Sequence, residues 1–283
     1  MKLELISVGQ DTATHPIPLV LVHGAWHGAW CWEANFIPYF VRAGFAVRAL
    51  SLRGHGSSDG RAALRRHAIA DYVADLAAIT ADLRPAPILI GHSMGGLVVQ
   101  KYLERHAAAA AVLLASVPTS GATATALRVL ARHPVQFAKI NLRLSLYPVV
   151  ETPALAREYL FSPHTPAELV ATVQARLQDE SYRAFLDMMT RLPRPGRVKV
   201  PLRVLGAAED GIFTPGEVAR TARAYGTTAT IYPHMGHNMM LEQGWERVAG
   251  DIVAWLDELG PVSYTHLRAH ETDSYLVCRL LLE

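Results

Sequence analysis

The chain is poor in cysteine, nearly balanced in charge and free of long apolar runs, and each shortage excludes something. Two cysteines in 283 residues, Cys31 and Cys278, are too few for a disulfide framework. Lys and Arg number 27 against 25 Asp and Glu, a net charge of +2, and the arginines are scattered. Neither nucleic acid nor an anionic membrane is therefore an expected partner. No apolar run reaches the roughly 18 residues of a membrane-spanning helix, so no membrane span is expected. Met1–Gln10 alternates like a strand and has no apolar h-region, so no signal peptide is expected and the expected compartment is the cytoplasm. The 13 histidines are dispersed and no H-E-x-x-H occurs, so no metal and no cofactor are expected.

What is present is a rhythm. Short apolar runs (Pro18–Val22, Ala46–Leu52, Ile88–Ile90, Ala111–Val117, Leu202–Leu205, Thr228–Tyr232) alternate with helical patterns over Glu33–Arg42, Ile69–Leu83 and Met94–Arg105. That alternation predicts an α/β fold, a mostly parallel central sheet flanked by helices. The apolar stripe Trp245, Val248, Ile252, Leu256, Leu259 predicts a closing helix.

Between about 119 and 197 the strand rhythm stops. This segment is helical in pattern and broken by Pro134, Pro148, Pro153, Pro163 and Pro166, which predicts a helical cap inserted into a core of residues 1–118 and 198–261. Leu142, Leu144, Leu146, Tyr147, Phe185, Met188 and Met189 give the cap an apolar character, which argues for a small to medium, fairly hydrophobic ligand. The run 262–283 matches no part of this scheme and reads as a non-native or disordered tail, so His266, His270 and Cys278 receive no role.

The strongest chemical signal is Gly91-His92-Ser93-Met94-Gly95-Gly96, a G-x-S-x-G pattern directly after a strand and opening a helix. So tight a turn strains the serine backbone and lifts its hydroxyl off the sheet edge, while the helix N-terminus favours developing negative charge. Ser93 is the candidate nucleophile. A serine hydroxyl needs a base, and His237, after the last strand, is preferred over His234. The base needs an orienting acid; the loop after Leu202–Leu205 offers Glu209 and Asp210, and Asp210 is preferred because Ile212 can anchor the loop beneath it. No carboxylate stands in the loop directly after the strand ending at Val117, so no earlier acid position competes. The oxyanion needs backbone N–H groups. Met94 should give one, and Ala25, after the close-approaching Gly24, the other. His23 should hold this loop by hydrogen bonding. Gly24, Trp26 and His92 are candidate pocket residues, and His27, Trp30 and Trp32 either shape the pocket or pack as core aromatics. The glycine-rich loop Arg53–Asp59 has neither phosphate-binding spacing and reads as structural.

Together VHGAWHGAWCWE (Val22–Glu33), LRGHGSSD (Leu52–Asp59), GHSMGG (Gly91–Gly96), LGAAEDGIFTP (Leu205–Pro215) and GHNMM (Gly236–Met240) make residues 1–260 resemble the α/β-hydrolase superfamily. The first motif resembles the branch of plant-type methylesterases and hydroxynitrile lyases. The resemblance implies an α/β-hydrolase fold and a Ser-Asp-His triad, and it favours esterase over lyase. Lyases usually carry threonine after the first-loop histidine and lysine after the catalytic histidine, where this chain has Gly24 and Asn238. The commonest family spacing puts the acid three residues after the glycine, at Glu209, so both carboxylates stay open. The expectation is a carboxylesterase acting through an acyl-enzyme on a small-molecule ester, with a homodimer left open. Lyase or acyltransferase chemistry on the same site, and a ligand receptor without turnover, are the rivals.

Overall fold

A computed structural model of the protein describes residues 1–260. The apolar runs form strands β1 (Glu4–Val8), β2 (Leu19–Val22), β3 (Val47–Ser51), β4 (Ile88–His92), β5 (Ala110–Leu114), β6 (Leu202–Ala207) and β7 (Ala229–Tyr232). They pair in the order β1-β3-β2-β4-β5-β6-β7; β1 runs antiparallel to β3 and every other pair is parallel. Strands β2, β4 and β5 are buried at every position. Both faces of a parallel sheet are covered by crossover helices, so its central strands read as unbroken apolar runs.

The crossovers are α1 (Phe36–Arg42), α2 (Ile69–Thr80) and α3 (Met94–Tyr102). The segment after β5 holds α4 (Thr123–Arg132), α5 (Pro134–Arg143), α6 (Pro153–Leu160), α7 (Ala167–Gln174) and α8 (Tyr182–Thr190); α9 (Pro215–Ala224) follows β6, and a last helix, α10, spans 245–260. Trp245 of α10 packs on Phe36 and Tyr39 of α1, with ring centroids 6.4 and 5.8 Å apart. None of the described helices is long and apolar enough to cross a membrane.

Two boundaries differ from the sequence expectation for a physical reason. The strand expected to reach Val117 ends at Leu114, because Ala115 takes φ +43° and turns the chain out of the sheet. The helix expected from Glu33 starts at Phe36, after a separate 3-10 turn over Ala29–Trp32. The prolines of the inserted segment mark helix starts: Pro134 and Pro153 are the first residues of α5 and α6, where a missing N–H costs nothing. Its apolar residues divide. Leu146, Phe185 and Met188 face inward, but Leu142 and Leu144 are 85% and 46% exposed, so they do not shape a ligand pocket as expected. Leu144 sits at the end of α5 with φ +49°, where the chain turns away from the core. The tail expected over 262–283 lies outside the described residues.

The inserted segment is fastened to the core by buried carboxylates. Glu180, fully buried, takes a hydrogen bond from the Tyr72 hydroxyl at 2.7 Å and pairs with the equally buried His55 Nε2 at 2.9 Å. The structural reading of the Arg53–Asp59 loop thus gains a reason: His55 is its anchor. Asp187 on α8 accepts from the Ile69 backbone N–H at 3.1 Å. Removing one member of a buried pair strands the other without compensation. Glu180→Ala is therefore expected to cost about 3–5 kcal/mol of stability, read as a lower urea midpoint. A loss below about 1 kcal/mol would show that the pair does not hold the segment.

Candidate active site

Every candidate residue lies at the C-terminal ends of parallel strands, where loops rise above the sheet. Ser93 follows β4 directly and precedes Met94, the first residue of α3. Its backbone sits at φ +53°, ψ −118°, outside the ordinary regions for a residue with a β-carbon. Four hydrogen bonds hold it there. Its N–H donates to Leu114 O at 3.0 Å, and its carbonyl accepts from Gly96, Leu97 and Val117 at 3.0, 3.3 and 3.1 Å. The turn also needs Gly95, since a methyl there would overlap the carbonyl oxygens of Val22 and His23 at the end of β2.

His237 and Asp210 meet in the same layer. Nδ1 of His237 lies 2.9 Å from Oδ2 of Asp210, with the two side chains 1% and 0% exposed. The other oxygen of Asp210 accepts from the backbone N–H groups of Ile212 and Phe213 at 2.7 and 2.9 Å. The carboxylate is thus held as an acceptor on both sides, which makes His237 Nδ1 the donor and leaves the lone pair on Nε2. That Nε2 is buried and has no hydrogen-bond partner; the Ser93 hydroxyl is not bonded to it in this resting arrangement. Asp210, not Glu209, meets the histidine. Glu209 turns outward to His234, whose side chain is 78% exposed, so His234 does not reach Asp210.

The loop after β2 is pinned by histidines. His23 Nδ1 lies 2.8 Å from the Gly24 carbonyl, and its Nε2 accepts from the Leu52 N–H at 3.0 Å. His27 Nδ1 lies 2.7 Å from the Ala25 carbonyl, and its Nε2 accepts from the Asn238 side-chain amide at 3.3 Å. A trans peptide directs its C=O and N–H to opposite sides. Holding the Gly24 carbonyl on the protein side therefore turns the Ala25 N–H toward the site. Among the described residues no backbone acceptor pairs with the N–H of Ala25 or of Met94. A β-carbon on Gly24 would come within 2.8 Å of Ser93 Cβ and 2.7 Å of His92 Nδ1, so only glycine lets this loop approach.

A narrow, apolar cavity leads away from Ser93. Ala25, Trp26, Val117, Ile212 and Phe213 line it from the core, and Ala122, Val129, Ile140, Leu146, Phe185 and Met188 from the inserted helices; Ser93 and Thr125 are its only hydroxyl-bearing residues. Trp26 lines it and is tied to the insertion: its indole N–H donates to Leu146 O at 3.2 Å and its carbonyl accepts from the Gln178 N–H at 2.9 Å. His92 does not line the cavity. It lies behind the site, fully buried, with Nε2 3.0 Å from the His237 carbonyl. Gly24 likewise acts through close approach and not as a wall. Trp30 and Trp32 pack away from the cavity, Trp30 under the guanidinium of Arg176 at 4.3 Å.

Sequence reading missed Glu242, a buried carboxylate accepting from the N–H groups of Ser162 at 2.6 Å and Gly236 at 3.0 Å. It joins the loop before His237 to the insertion, and no local spacing marks it. The reading of the histidines as dispersed also needs correction, since His164, Glu209 and His234 converge on the surface beside the site.

Comparison with known proteins places the chain in a family. Residues 19–251 match the alpha/beta hydrolase family. The chain is 28% identical over 228 residues to the pFDCC methylesterase MES16 of Arabidopsis thaliana, covering 72% of this chain and 81% of that protein. It is 40% identical over 89 residues to methyl jasmonate esterase 1 of Vitis vinifera, a match covering 30% of this chain and 33% of that one. A bromoperoxidase-type structure, BpoC of Mycobacterium tuberculosis, superposes with a TM-score of 0.74 at 20% identity, covering 92% and 97% of the two chains. A thermophilic esterase of Thermogutta terrifontis does so with a TM-score of 0.71 at 22% identity, covering 91% and 93%. The chain belongs to the alpha/beta hydrolase family.

Burial keeps the supporting histidines neutral. Desolvation lowers the pKa of His27 to about 4 and pushes His23 and His92 well below the usual 6.5, with charge on neighbouring histidines acting in the same direction. In the unfolded chain these groups bind protons below about 6.5 and in the folded chain they do not, so stability is complete above 6.5 and falls as pH drops. Each group takes away up to about 1.4 kcal/mol per pH unit between 6.5 and its folded value. The urea midpoint is thus expected to fall steeply from pH 7 to pH 5, and a flat profile would contradict the neutral assignment.

Proposed function

We propose that the protein is a serine hydrolase that cleaves small to medium, hydrophobic carboxylic esters through an acyl-enzyme, with Ser93 as nucleophile, His237 as general base and acid, and Asp210 as its orienting acid. The observation that carries this reading is the buried Asp210–His237 pair, 2.9 Å long, whose free Nε2 lies in the layer of the strained Ser93. His237 Nε2 takes the Ser93 proton as Oγ attacks the ester carbonyl carbon. The N–H groups of Ala25 and Met94 receive the oxyanion. His237 passes the proton to the leaving alcohol, then deprotonates a water that attacks the acyl carbon and releases the acid. Asp210 stabilises the imidazolium through both steps. Residues 119–197 act as a cap that walls the acyl cavity and excludes water. No metal or cofactor enters this sequence of steps.

The apolar lining favours an uncharged alkyl or aryl group over one that needs hydrogen bonds. The methylesterase relatives support ester cleavage, and Gly24 and Asn238, in place of threonine and lysine, favour it over cyanohydrin cleavage.

Short p-nitrophenyl esters test this directly. Ser93→Ala is expected to lower kcat by roughly 10³–10⁶-fold and to abolish labelling by a fluorophosphonate. Equal turnover by both proteins would overturn the reading. Cyanide release from a cyanohydrin with esters inert would favour the lyase, and ligand binding without multiple turnovers would favour a receptor. Between the carboxylates, Asp210→Asn is expected to cost about 10⁴-fold in kcat and Glu209→Gln far less; the opposite ranking would make Glu209 the acid. Within the cavity, Val129→Phe should lower kcat/KM for a hexanoate ester by tenfold or more while an acetate ester changes little, since each methylene is worth about 1–3 kcal/mol. Equal losses on both would show that the acyl chain lies elsewhere.

A further inference from the structure

We propose that His164, Glu209 and His234 form a zinc-type divalent-cation site that clips the inserted helices to the core. The three residues come from separate segments: the loop between α6 and α7, the loop after β6 and the loop after β7. His234 Nδ1 lies 3.4 Å and His164 Nε2 3.9 Å from the same carboxylate oxygen, Glu209 Oε1, and all three ligand atoms lie within 4.8 Å of one another. A tetrahedral zinc with bonds of 2.0–2.2 Å holds its ligand atoms roughly 3.3–3.6 Å apart. The two imidazoles are exposed, so small rotations bring them to that spacing.

Three further features favour a cation over a plain ion pair. First, two imidazoles share one carboxylate oxygen. A single His–Glu pair needs only one, and two protonated rings with centroids 5.6 Å apart repel each other. Two neutral rings instead present converging lone pairs, a set that takes a borderline cation with affinity for nitrogen and oxygen. Second, the other oxygen of Glu209, Oε2, is buried without a hydrogen-bond partner, so a cation on Oε1 offsets a carboxylate that the protein leaves half satisfied. Third, the two core ligands are already held. Glu209 N–H donates to Met235 O and Ala208 N–H to Tyr232 O, both at 2.9 Å, and His234 is kept at φ +54° although it has a β-carbon. With those two backbones fixed, His164, 3.9 Å from Glu209 Oε1 against 3.4 Å for His234, has the larger movement to make. The cleft beside it, bounded by Ser162, Met235 and Gly244, leaves room for a water as fourth ligand.

None of Ser93, Asp210 and His237 is a ligand, and the site does not depend on the proposed hydrolysis. Its effect would be mechanical: a bound ion joins the loops that carry Asp210 and His237 to the loop after α6.

The test uses the full chain, stripped with EDTA and titrated with Zn(II). Calorimetry is expected to show one saturable equivalent, and thermal unfolding a midpoint several degrees higher with about 100 μM Zn(II), since an ion that binds only the folded state stabilises it. Co(II) should give the intense visible bands of a tetrahedral site. His164→Ala, His234→Ala and Glu209→Gln should each weaken that equivalent by roughly tenfold or more and remove the Co(II) bands. His164 is 62% exposed, so its removal tests the ligand set without disturbing the fold, checked by an unchanged circular dichroism spectrum. A His106→Ala variant and a His266→Ala/His270→Ala double variant should behave as wild type. Equal Zn(II) binding by the three ligand variants, no saturable binding by the wild type, or loss only in the double variant would overturn the site. A preference for Ca(II) or Mg(II) over Zn(II) would do the same, because those ions favour all-oxygen shells.

Discussion

The backbone at Ser93 is the constraint on which the rest of this site depends. A residue with a β-carbon at φ +53° is strained by about 1–3 kcal/mol and persists only where its surroundings over-determine it. Here the surroundings are the sheet itself. Leu114 at the end of β5 accepts the Ser93 N–H, Val117 returns to donate to its carbonyl, and the first turn of α3 takes the rest. The strained residue therefore fixes where β5 must stop and how closely α3 must lie on the end of β2. Gly95 follows from that approach, and so does Gly24 on the other side of the serine. The same turn places the unpaired Met94 N–H at the start of a helix, where backbone N–H groups favour negative charge.

A second layer of order comes from buried polar groups that join distant loops. His23 and His27 hold the carbonyls of Gly24 and Ala25, Asn238 holds His27, and His92 holds the backbone of His237. Such a network stabilises only if every member keeps its neutral, correctly protonated form, which deep burial enforces by lowering these histidines' pKa. Glu180 and Glu242 make further buried ties of their own, joining the inserted segment to the loops at His55 and Gly236. Glu242 thus joins the inserted segment at Ser162 to Gly236, the residue before His237.

What was legible in sequence was whatever chemistry compresses into neighbouring residues. Ser93 could be read because a strand, a five-residue turn and a helix must follow one another directly. Asp210 and His237 could be read because each sits a few residues beyond a strand end. The parallel sheet announced itself through unbroken apolar runs. The insertion did not yield its interior in the same way. Leu142 and Leu146 are the same residue type four positions apart, yet one is 85% exposed and the other walls the cavity. Their fates are decided by the left-handed turn at Leu144 between them, which no periodicity reveals. Glu180 and Glu242 look like ordinary surface acids, and their partners lie 125 and 80 residues away in sequence. Long-range polar pairing leaves no local pattern.

Glu209 and Asp210 show how far environment outweighs residue type. They are adjacent, carry the same functional group, and family spacing points to the first of them. The chain after β6 nevertheless turns so that the amides of Ile212 and Phe213 converge on Asp210 and leave one oxygen for His237. Glu209 has the longer side chain, and its backbone N–H is committed to Met235, which directs it to the outer side of the same loop. There it meets exposed imidazoles instead of a buried one. A carboxylate that orients a base must be dehydrated and fixed on both oxygens, because only then does its charge act on one imidazole and not on solvent. Asp210 meets that condition and Glu209 does not. On the proposed reading the shorter acid is the better placed, because the loop brings two backbone donors to it.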